Sequence, residues 1–134
     1  MFSVRPIGLV RSPLKLREHA PKQGSEGAPE ARLVFLEEFR PGVADIGPGD
    51  ELLVLTWLDR GNRDVLQVHP RGDLRSPLRG VFSTRSPDRP NPIGIHRVRV
   101  LAVEGPTELR VADLEALDET PIIDLKPVLD GGER

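Results

Sequence analysis

Apolar residues recur in short runs bounded by Gly, Pro and Asp: Ile7 to Val10, Arg32 to Leu36, Glu51 to Trp57, Val65 to Val68, Gly80 to Ser83, Ile95 to Val103, Glu108 to Ala112 and Ile122 to Leu125. Runs of this length, rich in Val, Ile and Leu and separated by turn formers, predict eight short strands. The stretch from Glu51 to Trp57 is apolar at successive positions, so both of its faces need cover and a central place in the sheet is expected. The stretch from His96 to Leu101 alternates instead and predicts a strand with one face in the core and one in water. Trp57 ends an apolar run, which predicts a core residue rather than a stacking platform.

Helical periodicity is weak. Pro41, Gly42 and Gly47 break the segment from Phe39 to Ile46, and Leu114 to Leu117 allows only a turn. Many short strands would expose many unpaired edges, and closing the sheet removes them. The expected fold is therefore mainly β: a small single-domain β-barrel with short helical turns, spanning residues 1–134. Segment Glu18 to Glu30, with Pro21, Gly24, Gly27 and Pro29, has no strand pattern and is expected to be a loop.

Composition agrees with this picture. The 14 prolines and 13 glycines argue against a helical bundle, and the absence of Cys excludes disulfides, thiolate chemistry and cysteine metal sites. Arg5 and Pro6 interrupt the apolar N-terminal stretch and no long apolar run follows, so no signal peptide or membrane anchor is read and a cytoplasmic location is expected. His19, His69 and His96 are isolated from one another, so no metal site is expected, and His96 reads as a surface or core histidine.

The net charge of −2 conceals a segregation: residues 1–24 and 60–99 are basic, whereas 25–59 and 100–134 are acidic. The basic stretches suit a phosphate backbone or an anionic small molecule if they meet, or ordinary surface ion pairs if they pack beside the acidic ones.

Chemistry concentrates in two stretches. In Gly80 to Ile95, Pro87, Pro90 and Pro92 fix the backbone and hold Arg85, Arg89 and Asn91 in set directions. A guanidinium suits carboxylate or phosphate, an amide suits a purine edge, and the carbonyls left by proline suit a cation such as a sulfonium. The same residues equally suit a rigid surface hairpin with solvated arginines. In Leu114 to Val128, Asp118 and Thr120 before Pro121 form a turn whose backbone groups are expected to stay open to a ligand, while Asp124 and Lys126 fall on one face of a strand. A plain turn with a surface ion pair is the alternative there.

Thr84-Arg-Ser-Pro-Asp-Arg-Pro-Asn-Pro-Ile-Gly94, with Ile7-Gly-Leu-Val-Arg-Ser-Pro13 upstream and Leu117-Asp-Glu-Thr-Pro-Ile-Ile-Asp-Leu-Lys-Pro127 downstream, resembles the TsaA-like (YaeB) family, typified by tRNA methyltransferase O. The three motifs fall in family order and span nearly the whole chain. The resemblance implies a small β-barrel methyltransferase, unrelated to the Rossmann class, that works as a homodimer, binds S-adenosylmethionine and methylates the exocyclic nitrogen of threonylcarbamoyladenosine next to the tRNA anticodon. It carries cofactor contacts onto Pro21, Lys22 and Gln23, onto Asp59 and Arg60, onto Arg85, onto Ile95, and onto Asp118, Glu119, Thr120 and Pro121. Arg89, Asn91 and Lys126 are expected to face substrate, Arg85 to hold a carboxylate, and Asp124 or Asp118 to accept the departing proton.

The match departs from the family at several positions. Lys22 stands where the family usually has Arg, Glu119 where it has Gly, Asp88 where an aromatic is common, and Trp57-Leu-Asp-Arg60 where a His follows the central strand. The chain also ends soon after Pro127, where longer bacterial members carry a further domain. Alternatives are the same chemistry on a small molecule or another RNA, and a noncatalytic ligand-binding module.

Overall fold

The structure is a computed structural model that describes residues 1–15 and 27–129. Its strands are β1 (Gly8–Arg11), β2 (Ala31–Phe35), β3 (Glu51–Trp57), β4 (Gln67–Val68), β5 (Arg79–Gly80), β6 (Ile93–Gly105), β7 (Glu108–Ala112) and β8 (Pro121–Pro127), with one short helix, α1 (Arg40–Val43). Six of them close a barrel in the order β1-β2-β7-β6-β3-β8, and every pairing is antiparallel. β4 and β5 form a separate two-stranded ribbon in the long excursion between β3 and β6.

Alternation builds the core. Leu52 and Val54 of β3, Val98 and Val100 of β6, Leu33 of β2, Leu109 and Val111 of β7, Val10 of β1 and Ile122 of β8 all point inward and are buried. β3 lies between β6 and β8, and Leu53 on its outer face is also buried, as a run apolar on both faces requires. β6 alternates buried and exposed residues from Gly94 to Val100, with Arg97 and Arg99 outside. Its register shifts after Val100 and Val103, bulges that bend this 13-residue strand around the barrel.

Three expectations need adjustment. The run from Gly80 to Ser83 is strand only at Arg79–Gly80; Val81–Ser83 is a 3-10 turn. The hydroxyls explain it: Ser83 Oγ donates to the Gly80 carbonyl and Thr84 Oγ1 to the Val81 carbonyl, both at 2.9 Å, which curls the chain back on itself. The run from Val65 to Val68 keeps only Gln67–Val68 as strand. Trp57 is half-buried on the outer face of β3, with the Arg63 guanidinium 5.1 Å from its ring centroid, so it also serves as a stacking surface.

Topology gathers the loops that matter. β3 ends, β6 begins, β8 begins and β1 ends at the same rim of the barrel, since these four are antiparallel neighbours. The excursion 58–92, the turn 113–120 and the segment after β1 therefore all leave from that rim. Among the described residues no helix is long and apolar enough to cross a membrane.

Candidate functional site

The proline-rich loop at this rim is fastened from within. The Arg89 guanidinium donates to the carbonyls of Val81 and Thr84, and Asp88 Oδ1 accepts from the Asn62 backbone N–H at 2.9 Å. Arg63 Nε donates to the Pro90 carbonyl at 2.6 Å and its Nη2 to Asn91 Oδ1 at 3.1 Å. Leu58 N–H donates to the Pro92 carbonyl at 2.7 Å, and Gly61 sits so close under Pro87 that a Cβ there would lie 2.3 Å from its carbonyl oxygen. Turn 58–63 and the loop are thus one rigid unit.

This changes the parts assigned to the loop's polar residues. Arg89, expected to face substrate, turns inward onto loop carbonyls and acts as a fastener. Asn91 is exposed, with its carbonyl oxygen taken by Arg63 and its amide N–H groups pointing away from that bond. Arg85 is exposed, and no hydrogen bond or ion pair to a described residue engages it. It lines a basin of about 800 Å³ between the β4–β5 excursion and residues 83–88, with Arg79, His69 and Asp88 also on its walls.

The second cluster surrounds Asp118. Its Oδ2 accepts from Lys15 Nζ at 2.6 Å and its Oδ1 from the Ser12 N–H at 2.9 Å. Lys15 first, then the Ser12 N–H, hold this carboxyl below the usual carboxylate range, outweighing the opposite pull of burial. Arg60 Nη1 donates to the Lys15 carbonyl at 2.8 Å, tying the 58–63 turn to the same segment. Lys15 immediately precedes the stretch carrying Pro21, Lys22 and Gln23, which lies outside the described residues.

The turn at Asp118 to Thr120 does not keep its backbone donors open. Asp118 N–H donates to Leu14 O at 2.7 Å, Glu119 N–H to Val10 O at 2.7 Å, and Thr120 N–H to Leu117 O at 3.2 Å, while the Thr120 carbonyl accepts from Val10 N–H. The turn is stitched to β1, which a strand-edge position makes natural and turn chemistry alone does not reveal. Glu119 has φ +68°, a left-handed conformation that costs a residue with a Cβ about 1–2 kcal/mol. Glu119→Gly is accordingly expected to raise unfolding free energy by about 0.5–1 kcal/mol, read from the urea midpoint, the weak exposed contact to Arg11 at 3.4 Å offsetting little.

Asp118 also carries a pH signature. Because its folded carboxyl titrates below the ordinary value of about 3.9, its stabilisation is present above that pH and lost as pH falls through the folded value. Asp118→Asn should therefore be less stable than wild type at pH 7, and the gap should close below about pH 4 in paired thermal melts.

Other assigned positions separate from this rim. Ile95 is half-buried on the outer face of β6, beside Leu55 of β3, and Asp124 of β8 flanks Leu55 on the other side. Asp124 is exposed and 3.7 Å from Lys126 Nζ, and it lines a hollow of about 300 Å³ with Ile7, Phe35 and Phe39. That hollow shares no residue with the basin at Arg85, so Asp124 and Lys126 form a surface pair apart from the proline-rich loop. Asp59, by contrast, stays at the rim, exposed next to Arg60 in the 58–63 turn.

Ion pairs join the basic stretches to the acidic ones at Arg5–Glu38, Arg11–Glu119, Lys15–Asp118 and Arg97–Glu51, whereas Arg32–Glu108 and the pairs of Arg110 with Glu30 and Glu104 lie within the acidic stretches. Arg79 and Arg85 remain outside those pairs. Among the described residues no group of three His, Asp or Glu is placed to hold a metal ion.

Sequence reasoning missed a buried polar line in the barrel: Thr56 Oγ1 and His96 Nε2 are 2.7 Å apart, and His96 Nδ1 lies 2.5 Å from Glu115 Oε1. Inward alternation on β6 was the available signal for His96; nothing in the sequence placed Glu115 beside it.

Comparison with known proteins bears on all of this. Residues 9–131 match the family model described as the tRNA-methyltransferase O N-terminal domain. An "S-adenosyl-L-methionine-binding protein" of Archaeoglobus fulgidus is 42% identical over 123 residues, covering 92% of this chain and 86% of its own. A "Probable S-adenosyl-L-methionine-binding protein" of the same organism is 45% identical over 127 residues, but the match spans 95% of this chain and 34% of that one. The crystal structure of TrmO from Pseudomonas aeruginosa superposes with a TM-score of 0.73 at 26% identity, over 96% of this chain and 56% of that chain. The chain thus spans about half the length of the solved relatives.

Proposed function

We propose, from the premise that this chain belongs to the tRNA-methyltransferase O N-terminal domain family, that it binds S-adenosyl-L-methionine at the loop-bearing rim and methylates tRNA. The finer reading is methylation of the exocyclic nitrogen of threonylcarbamoyladenosine beside the anticodon, by a single domain spanning 1–134 and acting in the cytoplasm, where tRNA is. The observation that carries it is Arg85: an exposed guanidinium without a described partner, on a loop made rigid by Pro87, Pro90, Arg89 and Arg63.

The residues present fit the cofactor. A basin of about 800 Å³ lies within the usual range for small-molecule sites, and Arg85 offers a fork for the carboxylate of the methionine moiety. When bound, the cofactor would supply an electrophilic methyl on sulfur. The protein's part is placement. Arg85 holds a carboxylate, the fastened loop keeps Arg85 in position, and Asn91, steadied by Arg63, presents its amide to the base.

The proton lost from nitrogen needs an acceptor at the rim. Asp118 is held ionised by Lys15 and Ser12 and serves as a clasp, and Asp124 stands apart from the basin, so neither keeps the acceptor role. Asp88, which lines the same basin as Arg85, takes their place in this reading while its Oδ1 accepts from the Asn62 N–H.

A homodimer completes the proposal. Leu66, Leu74, Leu78 and Phe82 are 54–80% exposed and all belong to the excursion between β3 and β6. Exposed apolar side chains on one excursion offer an association surface. Light scattering should give about twice 14.8 kDa, and a monomer at micromolar concentration would remove the dimer. The cofactor assignment is tested by calorimetric titration with S-adenosyl-L-methionine: saturable heat supports it, and no heat at millimolar cofactor overturns it.

A further inference from the structure

Thr56, His96 and Glu115 form a continuous hydrogen-bonded line through three separate parts of the chain: β3, β6 and the turn after β7. Thr56 is fully buried and His96 only 5% exposed. An ionised carboxylate only accepts, so His96 Nδ1–H donates to Glu115 and, in the neutral ring, Nε2 accepts from the Thr56 hydroxyl. The order hydroxyl, imidazole, carboxylate has the form of a nucleophile triad. Thr56 is sealed inside the barrel, however, and no substrate atom reaches it, so the line performs no attack of its own.

Its end points say what it joins. Gly94 and Ile95 immediately precede His96 and follow directly from the proline-rich loop. Glu115 lies three residues before Asp118, the clasp on Lys15. Thr56 precedes Trp57 and Leu58, and Leu58 N–H holds the Pro92 carbonyl. A Cβ at Gly94 would meet Thr56 Oγ1 at 2.6 Å and His96 Nε2 at 2.8 Å, so the strand has no side chain where the line passes. Buried polar groups cost free energy unless fully paired, and apolar residues of the same shape would pack the barrel as well. What the polar line adds is direction, since each hydrogen bond fixes one element's orientation against the next.

We propose that His96 is a positioning residue: through Thr56 and Glu115 it locks the Asp118 turn to the strands that carry the proline-rich loop, keeping the two halves of the rim in register for the cofactor. This rests on the S-adenosyl-L-methionine reading above. The test compares His96→Phe, Glu115→Ala and Glu115→Gln, together with the double variant Thr56→Val/His96→Phe, which leaves no hydroxyl unpaired if the single change fails to fold.

The measurements are cofactor affinity by calorimetry, melting temperature, and the ring-nitrogen signals of His96 by long-range ¹H–¹⁵N NMR. In wild type the ring should show the tautomer protonated on Nδ1. His96→Phe, the double variant and Glu115→Ala should weaken cofactor affinity at least about 10-fold while folded, because the two halves of the rim lose their register for the ligand. Glu115→Gln keeps an acceptor for Nδ1–H and should restore affinity to near wild type. Unchanged affinity in a folded double variant, or a wild-type ring protonated only on Nε2, overturns the proposal. If wild type itself shows no cofactor heat, the cofactor reading fails, and the NMR signature still decides whether the line exists.

Discussion

Arg85→Ala is expected to lower kcat/KM for methyl transfer by about 10- to 100-fold while moving the melting temperature by no more than about 2 °C. A charge-assisted hydrogen bond to a ligand carboxylate is worth about 1.5–3 kcal/mol, which is the fold-change stated. The folded protein uses Arg85 for no described contact, so removing an exposed side chain should cost about 0.5 kcal/mol or less in stability. Arg89→Ala should show the opposite pattern. Its guanidinium holds two loop carbonyls, so stability falls and activity falls with the loop's order. Urea denaturation and methylation kinetics on the same two preparations separate a ligand-holding arginine from a fastening one.

Gly61→Ala carries the largest structural effect. The new Cβ would stand 2.3 Å from the Pro87 carbonyl oxygen and 3.1 Å from that of Leu58, both backbone atoms that no rotamer change can move aside. Overpacking of this kind costs about 1–3 kcal/mol. Relief requires the loop to lift away from turn 58–63, which breaks the Asn62–Asp88 and Arg63–Pro90 hydrogen bonds and displaces Arg85 with them. The expected result is a lower urea midpoint together with a loss of cofactor affinity. Gly42→Ala, where a Cβ meets nothing within 4 Å, is the matched control and should retain affinity.

β6 and β7 were legible because each buries one face, and burial writes a period of two into the sequence, whereas β3, buried on both faces, was legible from its continuous apolar run. Alternation reports which face is buried and says nothing about the partner strand. Closure of the barrel was therefore inferred from edge economy alone, and the pairing of β1 with β8 that completes it was not foreseen. At the site, the proline spacing revealed a rigid loop. It did not reveal that Arg89 turns inward while Arg85 turns out, because that choice depends on where the carbonyls of Val81 and Thr84 lie after folding. Asp118 and Asp124 look alike in sequence; one is held ionised by Lys15 and the Ser12 N–H, the other stands exposed beside Lys126. Glu119 in a left-handed turn is the structural counterpart of the glycine that the family resemblance leads one to expect there.

The most direct measurement is transfer of labelled methyl from S-adenosyl-L-methionine to purified tRNA that carries or lacks the threonylcarbamoyl group on its anticodon-loop adenosine. Label entering only the threonylcarbamoylated tRNA, and recovered as a methylated form of that nucleoside, is the result predicted here. Binding of the cofactor without label in either tRNA, or equal label in both, would contradict it.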